Sequence, residues 1–169
     1  VRDPLLSTFE GLKGRVAIFG GSFDPLQSGH LRIAEQALDK FELDMIVFMP
    51  TPENPLKERK PIGTNDQRVE MITLAIRDNP RLFVSELDCT MPQPAYSCNL
   101  MAVIREQVDE SASLFFMVGS DCANQFDKWI GFEKLEKLTE FIVIEREEGS
   151  ESSTEVRAKI NAGDFEALR

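Results

Sequence analysis

Between residues 20 and 31 the chain reads GGSFDPLQSGHL. Two adjacent glycines, a proline, a third glycine and the single histidine, His30, lie between two apolar stretches. Gly20 and Gly21 carry no Cβ and let the backbone approach a ligand closely. His30 stands where the next helix should begin, and the free N–H groups and dipole of a helix start attract anions. That combination is phosphate-binding chemistry. It fits neither common glycine-rich fingerprint: the stretch lacks the Gly-Lys-Ser/Thr ending of a P-loop and the Gly-x-Gly-x-x-Gly spacing of a dinucleotide turn. A second candidate anion site reads Ser152-Ser153-Thr154-Glu155-Val156-Arg157. Ser152 and Glu155 fit a capping box, which predicts a helix from about Ser152. In that helix Ser153 and Arg157 share one face, so hydroxyls, N–H groups and a guanidinium would point at one anion. The alternative is an ordinary capped surface helix.

Three further positions invite chemistry. Tyr96 and Ser97 open the segment that holds Leu100, and backbone N–H groups at such a helix start favour a carboxylate over an amide. Asp121 follows a strand end, where it can bond a ribose or cap a helix. Trp129, the only tryptophan, suits a core or a ligand role equally. Cys89, Cys98 and Cys122 are odd in number and show no Cys-x-x-Cys spacing, which argues against a disulfide framework or a zinc site.

The elements that must position these residues follow from hydrophobic period. Continuous apolar runs predict strands over 15–19, 45–49, 82–87, 114–118 and 141–144. Leu31, Ala34, Leu38 and Phe41 lie on one helix face. Thr64 and Gln67 form a capping box before Val69, Ile72 and Ile76, and Leu100, Ile104 and Val108 mark another helix. Runs that do not alternate are covered on both faces, as in a parallel sheet with crossover helices. The fold class is therefore α/β: a single Rossmann-like, doubly wound domain with a mostly parallel sheet of five or six strands. In such a sheet ligands bind beyond the carboxyl ends of the strands, and 20–30, 50–57, 92–97 and 119–129 should converge there. The domain is read as 14–169, with 1–13 an N-terminal extension.

Composition sets limits. The net charge of −10 over 169 residues argues against nucleic acid as a partner. The longest apolar runs are too short to span a bilayer, and the first residues lack the apolar stretch of a signal peptide, so a soluble cytoplasmic protein is expected.

GSFDPLQSGHL resembles the Gly-Ser/Thr-Phe-Asp-Pro-x-x-x-Gly-His loop of the nucleotidyltransferase superfamily, and residues 152–157 resemble its second phosphate motif, Ser-Ser-Thr-x-Ile/Val-Arg. TPENPLK at 51–57 is similar to a proline-rich loop with a phosphate-binding lysine, here Lys57. PAYS at 94–97 resembles a Ser-Tyr-Thr segment, and VGSDCANQFDKW at 118–129 resembles the Gly-x-Asp…Lys-Trp stretch of bacterial nicotinate mononucleotide adenylyltransferases. Pantetheine-phosphate adenylyltransferases share the first loop but not the Lys-Trp segment. The resemblance implies adenylyl transfer from ATP to nicotinate mononucleotide, with in-line attack by the mononucleotide phosphate and no covalent intermediate. It implies ATP contacts at Gly21, Ser22, Phe23, Gln27, His30, Gly119, Asp121, Ser152, Ser153, Thr154 and Arg157. His30, Lys57 and Arg157 would stabilise the transferring phosphates, and Tyr96, Ser97 and Trp129 would hold the pyridine nucleotide. Mg²⁺ is expected as cofactor, held mainly by the ATP phosphates rather than by protein ligands. ATP and nicotinate mononucleotide are the expected partners, and assembly into a homo-oligomer is compatible with this reading.

Two departures stand out. The family pattern His-x-Gly-His reads Gln27-Ser28-Gly29-His30 here. The pattern also implies a longer segment with a further strand between Glu148 and Ser152, and more helix at the end. A dehydrogenase is disfavoured because the second strand ends Met49-Pro50, without the acidic residue that would hold an NAD ribose. A class I aminoacyl-tRNA synthetase would need a tRNA-reading domain. The remaining rivals are a non-catalytic nucleotide-binding or regulatory protein and another adenylyltransferase, such as one acting on phosphopantetheine.

Overall fold

The computed structural model describes residues 3–21, 23, 26–51, 64–91, 96–119, 129–145 and 155–160. Along these the order is β1 (Arg15–Gly21), α1 (Ser28–Lys40), β2 (Met45–Pro50), α2 (Asn65–Ile76), β3 (Leu82–Val84), α3 (Leu87–Thr90), α4 (Ser97–Gln107), β4 (Ser113–Gly119), α5 (Phe132–Leu138), β5 (Glu140–Glu145) and β6 (Glu155–Ile160). The described strands form one sheet in the order β3-β2-β1-β4-β5-β6. The first five are parallel, and β6 runs antiparallel to β5. Strand order reverses between β1 and β4, which places the topological switch point, and the crevice where such sheets bind ligands, beside Gly20–Gly21 and Gly119.

Alternation along each strand divides the core into two layers. Ala17, Phe19, Ile46, Phe48, Phe115 and Met117 face α1 and α2. Val16, Ile18, Val47, Met49, Phe116 and Val118 face α4 and α5. Both faces are apolar, so each strand reads as an unbroken apolar run. The helix starts follow their caps. The Thr64 hydroxyl accepts from the Gln67 N–H at 3.1 Å, and Gln67 Oε1 accepts from the Thr64 N–H at 3.0 Å.

Two expectations are corrected. The third strand ends at Val84 rather than 87, because the Ser85 hydroxyl accepts from the Leu87 N–H at 3.1 Å and turns the chain into α3. The helix expected from Ser152 is not formed over 155–160, which is strand β6. EVRAKI alternates polar and apolar residues with period two, and it pairs with the open edge of β5 instead. Arg157 therefore lies on a strand rather than on a helical face, and Ser153 lies outside the described residues.

The residues before Gly14 that the structure describes pack onto the domain. Leu5 bridges Val84 on the outer edge of β3, with Leu6 N–H donating to Val84 O at 2.8 Å and Val84 N–H to Pro4 O at 3.0 Å. Phe9, 1 % exposed, enters the α4-side core while its N–H donates to Gln107 Oε1 at 3.0 Å. Gly11 N–H donates to Gln107 O at 3.0 Å, and Asp109 N–H to Leu12 O at 2.8 Å. The segment covers an edge strand and locks the C-terminal end of α4. Among the described residues no helix is long and apolar enough to cross a membrane.

Candidate active site at the carboxyl edge of the sheet

β1 delivers Gly20 and Gly21 to the switch point, where the Thr51 N–H donates to Gly21 O at 3.0 Å. A Cβ on Gly20 would lie 3.1 Å from the Phe116 ring, and one on Gly21 3.3 Å from the Phe23 ring. At these two positions the protein's own aromatics crowd the space a side chain would take, in addition to the close ligand approach that the sequence suggested. Phe23 is 4 % exposed and holds a φ of +47°, an uncommon value for a bulky residue. Its ring meets those of Phe19, Phe48 and His30, the last edge-on at 5.2 Å between centroids. Any ligand contact by Phe23 must therefore come from its backbone, because the ring is committed to orienting His30.

Gln27 is the N-cap of α1 and His30 the third helical residue. The Gln27 N–H donates to His30 Nδ1 at 2.9 Å. A capping box usually gives this task to Glu or Gln; here the imidazole performs it. With Nδ1 accepting, the proton of the neutral ring is assigned to Nε2, which becomes a donor. No acidic side chain occupies the first turn of α1, so nothing there competes with an anion for the helix start.

The other half of the site is built on the opposite face. Tyr96 is the N-cap of α4 and Ser97 its first residue, again with no acid in the first turn. The Cys98 thiol donates to Ile130 O at 3.4 Å, and Gly131 caps α5 with a φ of +74°. A Cβ on Gly131 would collide with Cys98 Sγ, so this glycine is required both by its conformation and by close contact. The seal draws the residues before α5 onto the start of α4. Tyr96 and Trp129 pack against the same apolar cluster. Trp129 meets the Phe116 ring edge-on at 6.2 Å, and Phe116 lies against Gly20. Phe116 thus connects the tryptophan to Gly20 along one face of the sheet. Gly119 ends β4 with open space where its Cβ would be.

This arrangement matches a known family. The family model for cytidylyltransferase-like proteins matches residues 18–159. The chain belongs to the cytidylyltransferase-like family. A relative from Methylacidiphilum infernorum, named a probable nicotinate-nucleotide adenylyltransferase, is 37 % identical over 78 % of this chain and 64 % of its own. A relative of the same name from Hydrogenobaculum is 34 % identical over 78 % of this chain and 68 % of its own. The chain thus spans about two thirds of the length of the curated relatives it matches. Plasmodium falciparum nicotinic acid mononucleotide adenylyltransferase, solved in complex with NaAD, superposes with a TM-score of 0.66 at 22 % identity, covering 81 % of this chain and 67 % of that one, which shows the shared fold.

Within this cytidylyltransferase-like domain the structure brings together Gly21, Phe23, Gln27, His30, Gly119, Tyr96, Ser97 and Trp129 around one edge of the sheet. Ser22, Lys57, Asp121, Ser152, Ser153 and Thr154 lie outside the described residues, as does Cys122. Arg157 is placed by its backbone alone, in β6 between Val156, which pairs with Ile144, and Ala158, which pairs with Val143. Sequence reasoning passed over Arg68, Asp88 and Thr51. Arg68 is 2 % exposed on α2, with Nη1 donating to Thr51 O at 2.7 Å and Nη2 to Asn65 Oδ1 at 2.6 Å. Its signal was present: Arg68, Ile72 and Ile76 are spaced by four, so the arginine occupies a core position of the helix. Asp88 is 6 % exposed, and burial pushes its carboxyl up to about 6. Burial likewise pushes the neighbouring Cys89 thiol up to about 11, against a smaller downward pull from Arg68.

Proposed function

We propose that this protein transfers the adenylyl group of ATP to nicotinate mononucleotide, giving nicotinate adenine dinucleotide and pyrophosphate. The observation that carries this is the two-faced site at the switch point. An anion-ready helix start with a tautomer-fixed His30 lies on one side, and a second acid-free helix start beside the only tryptophan lies on the other. The names of the relatives support the choice of substrates.

Chemically the protein positions and neutralises. A phosphate oxygen of the mononucleotide attacks the α-phosphorus of ATP, and the bond to the bridging oxygen of pyrophosphate breaks. The nucleophile is already ionised, so no side chain need take a proton, and the rate comes from alignment and charge stabilisation. His30 Nε2–H and the N–H groups of α1 donate to the triphosphate. Lys57 and Arg157 add positive charge as pyrophosphate leaves. Tyr96, Ser97 and the start of α4 receive the pyridine carboxylate, and Trp129 stacks on the ring. Bound with the triphosphate, Mg²⁺ would supply charge neutralisation there. A cytoplasmic location goes with this reading.

The test is pyrophosphate release from ATP and Mg²⁺ with nicotinate mononucleotide, nicotinamide mononucleotide or phosphopantetheine as acceptor. Release dependent on the nicotinate form, with at least about tenfold preference over the amide, is expected from the loss of one charge-assisted hydrogen bond. Equal efficiency for acid and amide removes the α4 assignment, and release with phosphopantetheine alone changes the acceptor. The neutral amide of Gln27 favours one second reading, a nucleotide-binding protein without turnover. Tight ATP binding with no acceptor-dependent release would establish that instead.

A further inference from the structure

Arg68 is a cation in the wrong company. Its neighbours on the inner face of α2 are Val69, Ile72 and Ile76, all buried. A buried guanidinium is costly unless its donors are met, and an apolar side chain of similar volume is often as stable or more so. Two of its hydrogen bonds show what the cation achieves. Nη1 holds the carbonyl of Thr51, immediately after β2, and Nη2 holds the carboxamide of Asn65, the first residue of α2. Thr51 in turn donates its N–H to Gly21 O at 3.0 Å, and its hydroxyl also reaches that oxygen at 3.5 Å. Next to it, Pro50 O accepts from Cys89 Sγ at 3.3 Å. A continuous run of hydrogen bonds therefore leads from Asn65 through Arg68 and Thr51 to the root of the loop that carries His30.

We infer that Arg68 is a positioning residue for the ATP side of the site: its guanidinium ties the start of α2 to Thr51 and, through Thr51, fixes the carbonyl of Gly21 beneath the phosphate loop. This rests on the adenylyl-transfer reading above. The fork geometry explains why arginine stands here, since a planar guanidinium holds two separate nitrogens rigidly toward two separate acceptors. Asymmetry follows from the sheet. Gly21, Phe23 and His30 lie on the α1–α2 face, while Tyr96 and Trp129 pack on the α4–α5 face. Loosening the clasp should disturb the first group and leave the second.

The experiment compares Arg68→Met, Arg68→Lys and Asn65→Ala with the wild-type protein by pyrophosphate release over matrices of ATP and nicotinate mononucleotide, alongside thermal melting. For Arg68→Met, kcat/KM for ATP is expected to fall by about 10²-fold through misplacement of the loop. KM for nicotinate mononucleotide is expected to stay within about twofold, a split that general loosening of the fold would not produce. Arg68→Lys should recover part of the loss, because an ammonium reaches one acceptor but cannot bridge both. Asn65→Ala should show a smaller loss in the same direction. Unchanged kcat/KM for ATP in folded Arg68→Met, or equal rises of both KM values with a lowered Tm, would overturn the inference. If Arg68→Met does not fold, Asn65→Ala decides, and wild-type kinetics in it overturn the clasp. If the wild-type protein makes no dinucleotide, the functional reading fails separately. ATP affinity by calorimetry then reads the clasp: weaker binding by Asn65→Ala supports it, and equal binding overturns it.

Discussion

A single backbone amide decides which nitrogen of His30 can face a phosphate. Because the Gln27 N–H donates to Nδ1, the ring presents Nε2–H outward as a fixed donor. Phe23 holds the ring edge-on, so neither tautomer nor orientation is left to the ligand to impose. Replacing His30 by Ala removes a preorganised donor and also leaves the N-cap amide without its partner. By the scale of a lost oxyanion donor, kcat should fall by about 10²–10³-fold, measured by pyrophosphate release. The bond to Nδ1 comes from the Gln27 backbone and survives exchange of the side chain, whereas the other half of the capping box, the Gln27 side chain accepting from the His30 N–H, must be remade by the new residue. Gln27→His should raise turnover, by about tenfold if a charge-assisted bond replaces a neutral one. A fall would show that the loop is built around the amide.

At the scale of elements, what the sequence disclosed depended on whether the determinant was local. The capping box at Thr64 and Gln67, the glycine-rich turn after β1 and the unbroken apolar runs of the inner strands are all set by near neighbours, and each was legible. β6 was misread because Ser152 and Glu155 satisfy a helix-cap pattern, whereas the segment is governed by an unpaired edge of β5 that only the fold supplies. The Gly131–Cys98 contact was invisible for the same reason, because the two residues lie far apart in sequence; the core position of Arg68 was legible in its spacing from Ile72 and Ile76, but its bond to Thr51 was not. The first residues are the clearest case. Read alone, 1–13 has no period to interpret, yet Phe9 fills the core beside α4, and Gln107 takes two hydrogen bonds from Phe9 and Gly11. Phe9→Ala should then cost about 3–5 kcal/mol, seen as a shifted urea midpoint at constant m-value. A change below about 1 kcal/mol, as at ordinary surface positions, would return the segment to the status of an appendage.

For the whole molecule, a buried acid imposes a stability penalty that varies with pH. Asp88 is buried on α3 beside Cys89, whose thiol donates to Pro50 O at the end of β2, and its carboxyl is raised from an ordinary 3.8 to about 6. A carboxylate whose folded pKa is raised binds its proton more tightly in the folded than in the unfolded chain. Stability therefore falls as pH rises between these two values, and the full penalty is present above about 6. The direction is opposite to that of a salt-bridged acid, whose contribution disappears on acidification. At the usual exchange of 1.36 kcal/mol per unit the penalty is at most ~3 kcal/mol at neutral pH. Asp88→Asn keeps the shape and removes the charge, so it should raise the unfolding free energy at pH 7.5 by up to that amount. Urea titrations of both proteins at pH 7.5 and 5 check this. The gain should shrink at the lower pH, where Asp88 in the wild-type protein is already largely protonated. A gain that is equal at the two pH values, or a loss at pH 7.5, would mean that the carboxylate is held by a favourable partner in the folded state. Asp88 would then belong with the charges that assemble the site.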